Sequence, residues 1–129
     1  MKRVFICSPY AGNTIENEAL AKRLCRMAVA QGHAPFAPHL LFTRFLDDGD
    51  PSARETGLAC GMAFLEACDE VWVYAGLGVS EGMKTEVARA RELALPIVVM
   101  LDLKADPCDR QSNVTTCRED TGRMRKSKS

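Results

Sequence analysis

No apolar stretch in this chain is long enough to cross a bilayer; the run LPIVVML (residues 95–101) is about a third of the required length. The N-terminal MKRVFICSPY lacks both the apolar h-region and the small-residue cleavage site of a secretory signal, so a cytoplasmic protein is expected. Charge of one sign is missing too. Lys and Arg together number 17, as do Asp and Glu, which gives no net field to attract nucleic acid or an acidic membrane. None of the six cysteines (Cys7, Cys25, Cys60, Cys68, Cys108, Cys117) forms a CxxC pair, and four fall inside expected strands or helices. In a cytosolic chain such cysteines read as small buried hydrophobes. His33 and His39 have no partner at ligand spacing, so no metal site and no cofactor is expected.

What remains is the composition of an ordinary soluble domain: 129 residues, 47% hydrophobic and 26% charged, enough for one core. RVFIC (residues 3–7) reads as a buried strand ended by the turn SPYAGN. From Thr14 to Gln31 the pattern is helical, with Ile15, Leu20, Leu24, Met27 and Ala28 near one face and Gly32 at the C-terminal stop. HAPFAPHL resembles a short edge strand hemmed in by prolines. A long connection turning at DDGDP leads to a second helix over 52–68, with Leu58, Met62 and Leu65 inward. EVWVYA is the clearest strand, followed by a helix over 81–95, Pro96, and the strand IVVML. This β-α-β-α-β-α-β alternation with continuous apolar strands predicts an α/β fold. Its form is a three-layer, flavodoxin-like or Rossmann-like parallel sheet of four to five strands, with helices on both faces. The folded domain is expected over residues 1–103. Residues 104–129, with few large apolar side chains and a basic end, read as a flexible tail, a phosphate-binding arm being the other reading.

In such a sheet ligands bind at the carboxyl ends of the strands, near the switch in strand order. CSPYAGN, PHLLFTRF and AGLGVSEGM meet there. Gly76, Gly78 and Gly82 permit close backbone approach, and Ser80 is the natural N-cap of a helix whose end can take an anion. The other reading is a plain capped turn. Met83, Val87, Ala90 and Ala94 form the buried stripe of that helix, with Glu86 on its flank. A half-buried carboxylate one turn beyond an anion site can serve as nucleophile or general base; an i,i+3 ion pair with Arg89 is the alternative.

Together, RVFICSPYAG, CDEVWVY and SEGMKTEVARARELALPIVVM resemble the nucleoside 2-deoxyribosyltransferase-like superfamily, which includes 2'-deoxynucleoside 5'-phosphate N-hydrolases. The resemblance covers about residues 1–102, and PHLLFTRFLDDGDPSARETG is similar to a small phage and bacterial branch of it. It implies a glutamate, in a D/S-x-G-x-x-x-E pattern, that attacks C1' of the sugar; here the pattern runs from Ser80 through Gly82 to Glu86. Serine at the Ser80 position implies a 5'-phosphate contact. Tyr10 and the SPYAG loop would line the sugar and base pocket, with Tyr10 orienting Glu86 or simply packing. The site expected on this basis has Glu86 and Tyr10 as catalytic residues. Its substrate contacts are Ser8, Gly12, Asn13, His39, Arg44, Arg54, Gly78, Ser80, Gly82 and Met83. The implied partner is a nucleoside or nucleotide, and family pockets completed across an interface imply a homodimer or higher homo-oligomer.

One departure stands out. The enzymes carry an aspartate eight residues before the Asp that opens the third strand; counting back from Asp69 reaches Gly61. His39 could exchange a proton and Arg44 and Arg54 could clamp a phosphate. Their structural readings are a turn cap beside Pro38 for His39 and an ion-paired helix residue for Arg54. Asp47, Asp48 and Asp50 read as a solvated turn, with a metal held alongside phosphates as the alternative. A non-catalytic nucleotide-binding module is the second functional expectation, and a protein-binding scaffold the third.

Overall fold

The computed structural model describes residues 1–103; the expected tail, Cys108 and Cys117 lie outside them. Four strands, β1 (Arg3–Cys7), β2 (Ala34–Phe36), β3 (Glu70–Tyr74) and β4 (Ile97–Met100), form one parallel sheet in the order β2-β1-β3-β4. Four helices connect them: α1 (Thr14–Ala30), α2 (Pro38–Leu41), α3 (Pro51–Leu65) and α4 (Glu81–Glu92), with a 3-10 turn at Phe42–Arg44 after α2. The chain moves outward from β1 to β2, then returns past β1 to β3, so the switch point lies between β1 and β3. The fold is the expected flavodoxin-like α/β architecture.

The period-2 alternation of β1 and β3 assigns their side chains to two cores. Val4, Ile6 and Trp72 face Leu24 and Ala28 of α1. Phe5, Cys7, Val71 and Val73 face Leu65 of α3 and Met83 and Ala90 of α4. This two-sided burial is why both strands read as continuous apolar runs. β4 differs. It is an edge strand, and Val98 and Val99 are exposed although the run IVVML gave no sign of it.

Helix ends follow local chemistry. Asn13, Asp50 and Ser80 each accept a first-turn N–H at the N-caps of α1, α3 and α4, at 3.2, 3.3 and 3.3 Å. Pro38 and Pro51 occupy the first turns of α2 and α3, where a missing N–H costs nothing. Pro38 also ends the strand expected across HAPFAPHL at Phe36, so His39 stands on a helix instead of a strand end. Three inward assignments shift. Ile15 is exposed, its place taken by Asn17 and Ala21, which share a face with Leu24 and Ala28. Ala94 falls beyond α4 with a φ of 57°. Glu86 sits inside the buried stripe of α4, between Met83 and Ala90, rather than on its flank.

Asp69 keeps its structural reading. Its carboxylate accepts from the Arg3 N–H at 2.8 Å and from Arg3 Nε at 3.4 Å, tying the starts of β1 and β3. The Arg3 backbone N–H is the main reason its carboxyl lies below the ordinary range.

Gly76 marks where the chain leaves β3. A Cβ there would fall on the Leu101 carbonyl oxygen and on the Tyr74 hydroxyl, both packed against the turn. Gly82 has open space around it. Gly76→Ala should therefore lower stability by about 1–3 kcal/mol, as overpacking does. Gly82→Ala should be neutral or slightly stabilising. Thermal melting of the two variants beside the wild type checks this; equal melting temperatures would contradict the packing at Gly76.

Candidate functional site

At the carboxyl ends of β1 and β3 a cavity of about 330 Å³ opens between the two cores' loops. Its walls come from four places: the β1–α1 loop with Tyr10, α2 with Pro38 and His39, the segment from Phe42 through α3 with Asp48, Arg54 and Glu55, and the start of α4 with Ser80 and Glu86.

Glu86 is the chemically unusual group. It is 4% exposed, yet it lines the cavity. Removal from water disfavours its charged form and pushes its pKa up to about 7, a rise that the neighbouring Cys7 thiol partly opposes. The ion pair with Arg89 that spacing allowed does not form. Arg89 reaches instead to Glu66 at 2.9 Å and to Glu92 at 3.0 Å. Beside Glu86, Cys7 is fully buried at the end of β1, its Sγ 3.8 Å from the Met83 carbonyl. Burial, then the adjacent Glu86, drive the Cys7 thiol well above its usual range, so it stays protonated.

The Tyr10 and His39 rings stack, with centroids 5.1 Å apart and planes 20° from parallel. Burial lowers the His39 pKa, against the opposing effects of Asp48 and a hydrogen bond with the Ser8 backbone, while Arg54 lowers it further. The imidazole is thus neutral near neutral pH. Asn17 steadies the loop that carries Tyr10. Its Nδ2 donates to the Tyr10 and Ala11 carbonyls at 3.0 and 3.3 Å.

Of the residues expected from sequence, Tyr10, His39, Arg54, Ser80, Gly82, Met83 and Glu86 line this cavity. Ser8, Gly12, Asn13, Arg44 and Gly78 do not. Ser8 is 1% exposed and lies beneath the lining, presenting its backbone to His39. Gly12 and Gly78 hold φ of 98° and 93°, turning their loops rather than approaching the cavity. Asn13 is spent as the cap of α1, and Arg44 is exposed at the end of the 3-10 turn. Arg54 does form an ion pair, with Asp48 at 3.7 Å. The other aspartates of the turn serve the backbone, Asp47 accepting from Gly49 N–H at 2.9 Å and Asp50 capping α3. Among the described residues no three His, Cys, Asp or Glu side chains gather as a metal site.

Sequence reading missed Asn17 and Glu55, took Cys7 only as a hydrophobe, and read Asp48 as part of a solvated turn or a metal holder rather than as part of a cavity wall. For Asn17 the signal was present: an amide in register with Ala21, Leu24 and Ala28 on an inward helix face. Cys7 gave none, because its partner is 79 positions away.

A family model described as Domain of unknown function (DUF7768) matches residues 2–100. No curated protein sequence matches the chain. Among solved structures, a 2-deoxyribosyltransferase from Bacillus psychrosaccharolyticus is similar, with a TM-score of 0.60 and 13% identity over 92% of this chain and 86% of that one. A 2-deoxyribosyltransferase from Leishmania mexicana gives a TM-score of 0.55 and 14% identity, covering 84% and 71%. A CMP N-glycosidase from Clostridium botulinum gives 0.49 and 18%, covering 76% and 67%. At these identities the likeness is one of fold. No helix among the described residues is long and apolar enough to cross a membrane.

The raised pKa of Glu86 makes stability depend on pH with a definite sign. The folded protein holds this proton up to about pH 7, whereas the unfolded chain releases it near 4.5. Stability from this group is full below pH 4.5, falls as pH rises to 7, and then levels off, a loss of roughly 3 kcal/mol. Glu86→Gln should remove that slope, so the variant gains on the wild type between pH 4.5 and 7. Urea denaturation across this range tests it, and parallel curves for the two proteins would refute the buried carboxyl.

Proposed function

The chain belongs to the DUF7768 family, and we propose that it cleaves or transfers the N-glycosidic bond of a (deoxy)nucleoside or nucleoside 5'-phosphate, with Glu86 as nucleophile. One observation carries this reading: an almost wholly buried carboxylate, its charge offset by no cation among the described residues, lining a nucleoside-sized cavity at the switch point. The fold is shared with structures described as 2-deoxyribosyltransferases, and the D/S-x-G-x-x-x-E pattern brings the same chemistry to Ser80, Gly82 and Glu86.

In this mechanism ionised Glu86 bonds to C1' as the C1'–N bond breaks, and the departing base takes its proton from solvent. The resulting glycosyl-enzyme is released by water, whose oxygen bonds to C1' while the C1'–O bond to Glu86 breaks. Neutral His39 accepts that water's proton; a second base in place of water makes the reaction a transfer. Tyr10, stacked on His39, offers a flat face to the base or sugar. Ser80 and the first turn of α4 receive a 5'-phosphate, with Arg54 of the same cavity lining as its cation.

With deoxynucleotides as substrates, chromatography should show free base released by the wild type, at a rate that rises with pH through about 7 as Glu86 ionises. Glu86→Ala and Glu86→Gln should lower that rate at least about 10³-fold while remaining folded. Undiminished base release by Glu86→Ala ends the proposal.

A binding-only module is the second reading, and Gly61 favours it. Glycine stands where the deoxyribosyltransferase-like enzymes carry an aspartate, and a Cβ added there would meet Pro38 Cβ at 3.6 Å, an apolar neighbour. That reading expects nucleotide to raise the melting temperature with no base released, since a ligand bound only by the folded state stabilises it.

A further inference from the structure

We infer that Asn17 is a positioning residue for the aromatic wall of the cavity: its side-chain amide clamps the loop that carries Tyr10, and so holds that ring against His39 where a planar base would lie. The bearing of this clamp on catalysis rests on the N-glycosidic activity proposed above; the clamp itself does not.

Asn17 lies in the first turn of α1, on the inward face that it shares with Ala21, Leu24 and Ala28. It is 7% exposed, in a stripe where periodicity favours a hydrophobe. Burying an amide there costs free energy unless its N–H groups find acceptors. They find two in succession: Nδ2 donates to the Tyr10 carbonyl at 3.0 Å and to the Ala11 carbonyl at 3.3 Å. An amide nitrogen carries two protons, so both bonds are made at once. Asn17 stands outside the cavity lining, whereas Pro9, Tyr10 and Ala11 belong to it. It therefore acts on the cavity through the loop, without touching a ligand.

The other half of the stack is fixed independently. His39 lies in α2, directly after Pro38, and its carbonyl accepts from the Thr43 hydroxyl at 2.7 Å. The two rings, 5.1 Å apart and 20° from parallel, come from separate elements and stay together only if both backbones are held. An aromatic pair contributes about 0.5–1.5 kcal/mol by itself. Fixing the backbone costs about 1–2 kcal/mol for each residue. Ala11, Gly12 and Asn13 are all exposed, so the stack alone is too weak to order this loop. The buried amide makes up the difference. A face ordered in advance also removes the ordering cost from ligand binding, so the clamp acts on the affinity for a base more than on the bond-breaking step.

The test is the proton NMR signal of the His39 ring, which a stacked Tyr10 displaces upfield through its ring current. The signal is assigned by its loss in His39→Gln, and Tyr10→Ala gives its position without the stack. Asn17→Leu keeps the volume of the side chain and removes both donors. It should carry the signal at least about half of the way to the Tyr10→Ala position. A signal that stays nearer its wild-type position overturns the inference, because a merely space-filling Asn17 would alter the melting temperature and leave the rings in place. If Asn17→Leu does not fold, Asn17→Ala decides by the same criterion. If neither folds, hydrogen exchange of the Asn17 side-chain amide in the wild type decides. It should be at least about tenfold slower than that of Asn13, whose oxygen serves as the cap of α1, and any lesser protection overturns the clamp. Base release is scored separately. Asn17→Leu should raise KM at least about fivefold with a smaller change in kcat, and an unchanged KM overturns the clamp's part in binding. Displaced rings in a protein that releases no base refute the proposed activity and leave the clamp standing; base release with unmoved rings does the reverse.

Discussion

Keeping one carboxylate out of water is the constraint on which the rest of the site depends. Glu86 sits where a helix meets the sheet, a position that periodicity would give to a hydrophobe. A charge there is expensive unless neutralised or hydrogen-bonded. This fold leaves the group a nearby thiol and an opening to the cavity, with no arginine or lysine among the described residues pairing it. Its proton affinity is consequently balanced near neutrality, where one side chain can exist as acid or as nucleophile.

The sheet order creates the opening. Because β1 has β2 on one side and β3 on the other, the loops leaving β1 and β3 diverge to opposite layers, α1 lying on one face and α4 on the other. The gap between those loops is closed on a third side by α2 and the segment leading into α3. Pro38 is a hinge of this arrangement: it stops β2 short, starts α2, and packs against Gly61. The same turn of chain carries His39 under Tyr10. A residue that reads in sequence as punctuation thus sets the distance between the floor at Glu86 and the facing wall.

The alternation of strands and helices and their periods of 2 and 3.6 were legible from sequence, because both report burial directly. So were the cap at Ser80 and the stop at Gly32; α4, expected to run to residue 95 before Pro96, ends at Glu92 because the chain turns at Ala94 with positive φ. Exposure at an edge was not legible: IVVML looks the same whether it is central or lateral, and only the pairing shows Val98 and Val99 facing solvent. At the site, side chains carried by local motifs were found, including Glu86, Ser80, Tyr10 and His39. Those missed contribute through long-range contacts, such as Cys7 beneath Glu86, or through a loop whose path no short motif fixes, such as Asp48. The family pattern also named residues, Ser8 and Asn13 among them, that here support the loop rather than line the cavity. A motif specifies a backbone conformation first, and which of its side chains face the ligand depends on what packs behind it.

The glutamate's isolation is itself built by its neighbours. Arg89 follows Glu86 by three residues, the spacing at which a helix pairs opposite charges. Had that pair formed, Glu86 would be drawn outward and its carboxyl held well below neutrality, suited to stability and poorly suited to reaction. Glu66, just past the end of α3, and Glu92, at the end of α4, supply two competing acceptors on the solvent side. Each is a half-exposed pair worth little to stability. Together they hold the arginine away from Glu86, so interactions that are weak by themselves preserve the uncompensated carboxylate. The consequence is asymmetric. Removing Glu66 and Glu92 costs little in folding energy, yet it frees a guanidinium to turn toward α4's buried face, where it would lower the proton affinity of the carboxylate that lines this cavity.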